Sequence, residues 1–400
     1  MFLENLIARV LPADWVWLAP YGATAVIIGI VFGAVMTAVA YGILVERWVA
    51  AAIQNRHGPN RVGPLGLFQP IADGLKPLLK EEVIPARAEK WLFLLAPALA
   101  AMTTLAVFAV VPVGPADDLS GPIRFIVAPG VDVGILYIFA LGSLAVYGVI
   151  LAGWSSNTKY SFLGALRSSA QVVSYEIPLG LSVLGVVLVS GTLNLEEIQR
   201  QQEGIFVFGW HLFTQPLAFV LFVTAALAEA HRLPFDLAEC EQELVAGYHT
   251  EYSGLKFAFF MLSEYVHMIT VAFLAAILFL GGWHFPLFAT HDSTYALAWV
   301  IKLGVLLAKV GFFVVLFMFL RWTIPRFRFD QLMGLAWRVM IPLGIANLLV
   351  VVVVKQFDLL PIWMTVGSLA LFIGAGLFHA VTVQRRIASP RRVQPQLAGV

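Results

Sequence analysis

Long apolar segments recur along the whole chain, separated by short stretches that contain charged residues, glycine and proline. Each apolar segment has about 18 to 25 residues, enough for an α-helix to cross roughly 30 Å of hydrocarbon. The pattern predicts nine membrane-spanning helices, at residues 21–45, 91–111, 133–153, 171–190, 212–228, 257–280, 299–320, 335–354 and 361–383. We therefore expect an all-α, polytopic membrane helix bundle that forms a single transmembrane domain over residues 1–384, followed by a basic cytoplasmic tail at residues 385–400.

Composition supports a membrane location. Hydrophobic residues make up 60% of the 400 residues and charged residues only 12%, about half the charged fraction typical of a soluble domain. Such a chain cannot cover a water-facing surface with polar groups, so we expect a lipid bilayer around it and no nucleic acid. The one cysteine, Cys240, excludes an all-cysteine iron–sulfur cluster, a cysteine-rich zinc site and an intrachain disulfide.

The basic residues predict how the bundle is oriented, because short cytoplasmic loops carry the excess of Lys and Arg. With the N-terminus outside, 19 of the 25 Lys and Arg fall in cytoplasmic segments. Four fall in outer segments, namely Arg9, Arg124, Arg200 and Lys355, and two, Lys302 and Lys309, lie inside the seventh span. The segment before Tyr21 lacks a basic start and a small-residue cleavage site, so we expect it to be retained rather than removed as a signal peptide.

The first cytoplasmic loop combines a predicted turn with an amphipathic helix. Residues 54–66 include three glycines and two prolines, which prevent a regular helix. The apolar positions that follow recur at helical spacing, at Leu67, Phe68, Ile71, Ala72, Leu75, Leu78 and Leu79. Asp73, Lys76 and Lys80 lie on another side, so we expect a helix in the plane of the membrane interface, bent at Pro77. It either anchors the loop to lipid headgroups or walls an entrance for an amphipathic ligand.

Four glutamates are predicted to lie near one membrane face. Glu176 is about five residues inside the fourth span and Glu264 about seven inside the sixth, roughly 8 and 10 Å deep at 1.5 Å per residue. Glu46 and Glu229 close the first and fifth spans on the same side. An ionisable residue at the bilayer centre costs on the order of 3 kcal/mol, so such residues indicate function. A row of carboxylates suits lateral proton transfer, because crowded carboxylates raise one another's pKa towards neutrality.

The alternative for each of these acids is a structural pair with a residue near it in sequence. The candidate partners are Arg47 for Glu46, His231 and Arg232 for Glu229, and Tyr265 and His267 for Glu264. Pairing does not explain why all four acids share one depth. The residues alone therefore leave a proton relay and a set of structural pairs both open.

Other ionisable residues carry weaker predictions. Lys309 is predicted near mid-membrane, where we expect a carboxylate partner. His267 and His379 are the two histidines well inside spans. They either hold a haem between them or, as is commoner, are hydrogen-bonded core residues. The acidic loop after the fifth span is either a solvated surface or an extension of the carboxylate row. Its acids are Asp236, Glu239, Glu241, Glu243 and Glu251.

Four predicted cytoplasmic stretches carry distinctive motifs. They are Glu46-Arg47 with residues 53–54, 58–64 and 69–73; residues 156–160, 164–167 and 174–176; residues 228–229, Arg232, 234–237, 243–247 and 250–254; and residues 325–332. In order, spacing and placement these stretches resemble the family of the H subunit, a membrane subunit of bacterial NADH-quinone oxidoreductase (respiratory complex I), over about residues 20–354. The family core has eight helices, so the ninth span extends beyond it. Asn55, His57 and Leu233 depart from the residues usual in the family.

The resemblance implies a subunit that binds no metal or cofactor of its own and that is not catalytic alone. Soluble partner subunits would carry FMN and iron–sulfur clusters and would form, with this chain, the chamber that admits ubiquinone or menaquinone from the bacterial inner membrane. The implied quinone-binding residues are Glu46, Arg47, Trp48, Asp73, Lys76, Arg326 and Arg328. The implied proton relay towards antiporter-like pumping subunits consists of Glu176, Glu229, Glu264, Glu239, Glu241 and Glu243.

Two other functions fit the same features. The first is the corresponding subunit of a membrane-bound hydrogenase or a deazaflavin-type dehydrogenase, which would keep the acids but serve another redox module. The second is a proton-coupled secondary transporter that works alone. The sequence has no internal repeat with matching broken helices, which would indicate an inverted-repeat transporter.

Overall fold

The computed structural model describes residues 18–114, 126–203, 209–236, 245–286, 289–290 and 298–388, with side chains up to residue 377. About three quarters of this part is helical. Its helices are α1 (Ala19–Ile53), α2 (Gln69–Leu79), α3 (Lys90–Ala106), α4 (Gly134–Ser155), α5 (Lys159–Ser190), α6 (Leu195–Gln201), α7 (His211–Thr214), α8 (Pro216–Glu229), α9 (Gly254–Leu280), α10 (Ala298–Thr323), α11 (Phe329–Leu335), α12 (Ile341–Gln356) and α13 (Ile362–Ala388). A π-helical segment, Ala336–Met340, joins α11 to α12.

Seven of the nine predicted spans correspond to one helix each, the fifth covers α7 and α8, and the eighth falls on the continuous unit of α11 and α12. Within the described ranges, seven are long and apolar enough to cross a membrane: α1, α3, α4, α5, α9, α10 and the α11–α12 unit. α8 has 14 residues, which at 1.5 Å per residue gives only about 21 Å. The all-α polytopic architecture is confirmed, while the count of nine spans and the boundary at residue 384 remain predictions.

α9 lies at the centre of the bundle. Val266 and residues 268–279 are all buried, and α9 packs against α1, α2, α3, α8 and α10. A helix that is apolar on every side and surrounded by other helices is a core helix. The side chains near its start, including those of Glu264 and His267, are thereby directed at neighbouring helices rather than at lipid.

Small residues bring α3, α4 and α5 close to their neighbours. A Cβ atom at Gly148 of α4 would lie 2.9 Å from the Cβ of Ala100 in α3, and one at Gly164 of α5 would lie 2.6 Å from the Cα of Gly247. Small residues are typical of such close approaches between membrane helices. The backbones of these helices therefore hold the polar side chains between them at short range.

α2 confirms the predicted amphipathic helix. Its apolar residues Ile71, Leu75 and Leu78 are exposed on one side, and Pro77 lies inside it. On its other side α2 packs against α1 and α9. The helix therefore presents an apolar row outwards while it is held against the bundle, as expected for a helix at a membrane surface.

Candidate functional site

Glu46 of α1 is the centre of a buried ion cluster. Its carboxylate accepts hydrogen bonds from Tyr265 Oη at 2.6 Å and from Arg232 Nη1 at 3.2 Å, and it also pairs with Arg321 Nη1. Only 6% of Glu46 is exposed, so these partners supply the charge and hydrogen bonds that a buried carboxylate needs. The cluster joins α1, α9, α10 and the segment that follows α8.

The charged residues of this cluster pair with residues from other helices and not with their neighbours in sequence. Arg47, the expected partner of Glu46, forms an ion pair with Asp73 of α2 at 2.7 Å. Arg232, an expected partner of Glu229, is paired with Glu46 at 3.2 Å. These two candidate pairs do not form, because helix packing brings together side chains that are distant in sequence.

Glu176 and Glu229 both lie against α4, at its adjacent residues Ser143 and Gly142. The Ser143 hydroxyl donates a hydrogen bond to Glu176 Oε1, and a Cβ atom at Gly142 would lie 3.7 Å from Glu229 Oε1. On its other side Glu229 faces His267 of α9, whose Nε2 lies 3.5 Å from Glu229 Oε1. α5, α8 and α9 thus place ionisable groups around one point of α4.

A cavity of about 60 Å³ joins Glu229 to Glu264. Tyr248 Oη donates a hydrogen bond to Glu264 Oε1 at 3.3 Å. The polar residues that line the cavity are Thr104, Glu229, His231, Tyr248, Ser263, Glu264 and His267. Within the described chain, no hydrogen bond reaches the buried atoms Glu229 Oε2 and His267 Nε2. Buried polar atoms normally have partners, so the cavity suits ordered water.

The four glutamates predicted to share one face are therefore brought into one region. Glu176 and Glu229 contact neighbouring residues of α4, Glu229 and Glu264 line one cavity, and Glu46 binds Arg232, three residues beyond Glu229. Four separate structural pairs would not need to lie so close to one another. The role of these acids in proton transfer remains a prediction.

The predicted entrance residues on α1 and α2 form a second polar group. Asp73 pairs with Arg47 and lies 4.0 Å from Lys76 Nζ, and Gln69 Nε2 donates to Asp73 at 2.9 Å. Trp48 Nε1 donates to the carbonyl oxygen of Pro59 at 3.3 Å. A cavity of about 520 Å³ opens beside them. Its polar and aromatic walls are Glu46, Arg47, Arg56, His57, Tyr265, Arg321 and Trp322.

The two arginines predicted before α11 lie in different surroundings. Arg326 Nη2 is 3.8 Å from Asp236 Oδ2, and burial raises the pKa of Asp236, although nearby arginines oppose that shift. Arg328 lies 3.7 Å from Asp330, and both side chains are largely exposed. Arg326 therefore reaches from the surface to a partly buried carboxylate, whereas both Arg328 and its partner face outwards.

Sequence reasoning missed Arg321 as a site residue and assigned Tyr265 to the wrong acid. Both bind Glu46, whereas Tyr265 was expected beside Glu264. The signal for Arg321 is its place in the last turn of an apolar helix, where a basic residue ordinarily faces water. Its burial against Glu46 depends on how α10 is rotated, which periodicity does not determine.

Lys309 of α10 caps the end of α9. Its Nζ donates to the carbonyl oxygens of Leu280, Gly282 and His284 at 2.6, 2.8 and 2.7 Å. The expected carboxylate partner is therefore wrong. The physical reason is that the last carbonyls of a helix lack partners and carry partial negative charge, which an ammonium with three donors can satisfy.

Several predictions fall outside the described residues. Glu239, Glu241 and Glu243 lie in residues 237–244, together with Cys240, and the side chain of His379 is not described either. Among the described residues, no group of three or more His, Cys, Asp or Glu side chains could hold a metal ion.

The fold and the site define a polytopic α-helical membrane protein in which acids and bases from several helices converge near one end of the bundle. The chain belongs to the NADH dehydrogenase family, whose model matches residues 26–352. That match confirms the family predicted from the motifs and ends before α13.

Subunits of NADH-quinone oxidoreductase from several bacteria match the sequence of this chain over most of their lengths. The chain is 50% identical over 315 residues to the H subunit of NADH-quinone oxidoreductase from Thermomicrobium roseum, covering 77% of this chain and 89% of the relative. It is 47% identical over 314 residues to the H subunit from Protochlamydia amoebophila, covering 78% and 92%. It is 45% identical over 335 residues to NADH-quinone oxidoreductase subunit 8 of Rhodothermus marinus, covering 82% and 96%.

Proposed function

We propose that this chain is the membrane subunit of a proton-pumping NADH-quinone oxidoreductase and works only within that complex. Relatives of 45 to 50% identity that are named as subunits of this enzyme match over 89 to 96% of their lengths. The partners would be soluble quinone-site and iron–sulfur subunits, with FMN and the clusters, and antiporter-like membrane subunits. The chain would supply a quinone entrance and a coupling path instead of a complete catalytic site.

The cavity beside α1 and α2 has the properties of a quinone entrance. Its volume of about 520 Å³ falls in the range of roughly 300 to 1,000 Å³ found for small-molecule sites. A quinone has two carbonyl acceptors on an apolar ring, and Arg47 and Arg56 supply donors at the walls. The exposed row of Ile71 and Leu75 on α2 suits lipid or the isoprenoid tail.

One observation carries the proposed coupling: Glu46 lines the entrance cavity and also binds Arg232, three residues beyond Glu229. A change of charge in that cavity would act on Glu46 through a medium of low dielectric, where electrostatic interactions are strong. Arg232 would pass the change to the acids around α4, Glu176 and Glu229. The acidic loop residues Glu239, Glu241 and Glu243 would extend the row.

The proposed location is the bacterial inner membrane, with the N-terminus in the periplasm and the C-terminus in the cytoplasm. The excess of Lys and Arg on one set of loops supports this orientation. The ion clusters of Glu46 and Asp73 lie at the ends of helices that border those basic loops. The quinone entrance would then open near the cytoplasmic surface, where soluble subunits can cover it.

Purification of the tagged chain from mildly solubilised membranes tests the assignment. We expect mass spectrometry to identify flavin and iron–sulfur subunits of an NADH oxidoreductase, and a photoreactive quinone to label the end of α1 at Trp48 or the loop at Pro59. Hydrogenase or deazaflavin-enzyme partners would replace the proposal by the related redox complex. A chain that purifies alone and transports a solute would contradict it and indicate a secondary transporter.

A further inference from the structure

The cavity between Glu229 and Glu264 contains two histidines that a row of carboxylates does not account for. His267 of α9 places its Nε2 3.5 Å from Glu229 Oε1. His231, two residues after the end of α8, places its Nε2 2.7 Å from the hydroxyl of Ser168. Both side chains line the cavity together with the two acids.

The unpaired atoms in this cavity indicate water. Glu229 is 9% exposed, and its Oε2 and the Nε2 of His267 receive no hydrogen bond within the described part of the chain. A volume of about 60 Å³ exceeds the roughly 10 to 15 Å³ that one water needs on this measure. The cavity therefore has room for a few waters among the side chains of Glu229, His267 and Glu264.

We propose that His267, together with water held beside His231 in this cavity, carries protons between Glu229 and Glu264. This inference rests on the proposed function of the acids as a proton path. It adds titratable nitrogens to a path otherwise made of carboxylates. A neutral imidazole suits this task because one nitrogen accepts a proton while the other donates one.

The proton moves in steps that conserve charge and protons throughout. A protonated Glu229 gives its proton to Nε2 of neutral His267, which leaves a carboxylate and an imidazolium. The other ring nitrogen then releases its proton to a cavity water, and a proton of that hydrated chain binds the Glu264 carboxylate. His267 ends neutral in the opposite tautomer, and rotation of its ring restores the starting form for the next proton.

His231 supports the path from the side of α5. Burial, and to a lesser extent the proximity of His267, lower the pKa of His231 to about 4, so its ring is neutral near pH 7. A neutral ring in contact with the Ser168 hydroxyl can hold a water in the cavity without adding a charge that would repel an arriving proton.

The test compares His267→Gln and His267→Ala in the whole complex, in inverted membrane vesicles. Gln keeps a hydrogen-bonding side chain but does not take up a proton at neutral pH. We expect NADH-driven proton uptake to fall roughly tenfold or more in both variants, with NADH oxidation by ferricyanide unchanged. Added imidazole should restore part of the uptake in His267→Ala. His211→Ala is the matched control, because His211 is buried near Ser190 at the opposite end of α5.

The outcomes separate this inference from the proposed function. Full proton uptake in His267→Gln overturns it, and so does a loss in His267→Ala that imidazole leaves unchanged, since that result assigns the ring a packing role. Glu229→Gln is measured in parallel. Loss in Glu229→Gln with normal His267 variants would reject only the histidine path, whereas full uptake in Glu229→Gln would reject the proposed relay itself.

Discussion

Replacing Glu46 by Gln is expected to loosen the junction between α1, α9 and α10. Glu46 and Arg232 are 6% and 7% exposed, so the substitution leaves Arg232 buried without its counter-charge. Removing one partner of a buried ion pair destabilises by about 3 to 5 kcal/mol. The side chain of Arg321 is 31% exposed and can still reach water, so we expect a value near the lower limit, about 3 kcal/mol.

This loss of stability should be measurable in the assembled complex. Because about 1.4 kcal/mol corresponds to a tenfold change in an equilibrium, the ratio of docked to undocked helix ends should fall roughly a hundredfold. We expect NADH-driven quinone reduction in Glu46→Gln membranes to inactivate at a clearly lower temperature than in wild type. Native gels of the solubilised membranes would report the amount of assembled complex.

A control and a second substitution make this prediction specific. Asp330→Asn removes an ion pair with Arg328 in which both side chains are largely exposed, so its effect should be about 1 kcal/mol or less. The double variant Glu46→Gln with Arg232→Gln should be less damaging than the sum of the single changes, because no unpaired charge remains. A Glu46→Gln complex with the inactivation temperature of wild type would refute the reasoning.

Two further substitutions follow from contacts in the bundle. Lys309→Met removes three donors from carbonyls at the end of α9 and should lower stability by about 2 to 4 kcal/mol, measured by thermal inactivation. The control is the same change at the exposed Lys355, which donates to α5 carbonyls. Equal effects of the two substitutions would contradict burial as the cause. Gly142→Leu fills the space beside Glu229 and should slow NADH-driven quinone reduction. Gly180→Leu should not slow it, because the space around Gly180 is open. Equal rates in the two variants would contradict the contact between residue 142 and Glu229.

Much of the fold follows from periodicity alone. The spans at residues 91–111, 133–153 and 257–280 agree with α3, α4 and α9 within a few residues. The helix predicted in the first cytoplasmic loop agrees with α2, because its apolar spacing defines its sides and a proline, Pro70, lies in its first turn. These features depend on local sequence, which is why they could be predicted.

Other features depend on tertiary contacts. α5 begins at Lys159, 12 residues before the predicted span, because its first turns mix polar with apolar residues and bury only their small and polar side against other helices. Ser161 and Ser168 on that part of α5 are fully buried. Hydropathy finds lipid-facing segments, so it does not report a helix that continues into the interior of the protein.

The partners of the acids could not be predicted for a related reason. Sequence placed Glu46, Glu176, Glu229 and Glu264 near one level, and the contacts agree with that placement. Which cation or hydroxyl each acid meets depends on the rotation of each helix about its axis. One residue changes that direction by about 100°, so Arg321 and Lys309 received no correct partner.

The proposed proton path is tested most directly by the proton uptake of inverted vesicles per NADH oxidised, measured for Glu176→Gln and Glu229→Gln. Glu197→Gln is the matched control, since Glu197 is exposed on α6, beyond the opposite end of α5. We predict that proton uptake falls roughly tenfold or more in both Glu176→Gln and Glu229→Gln, with ferricyanide reduction by NADH unchanged and the control normal. Full proton uptake in both Glu176→Gln and Glu229→Gln would contradict a carboxylate relay in this chain.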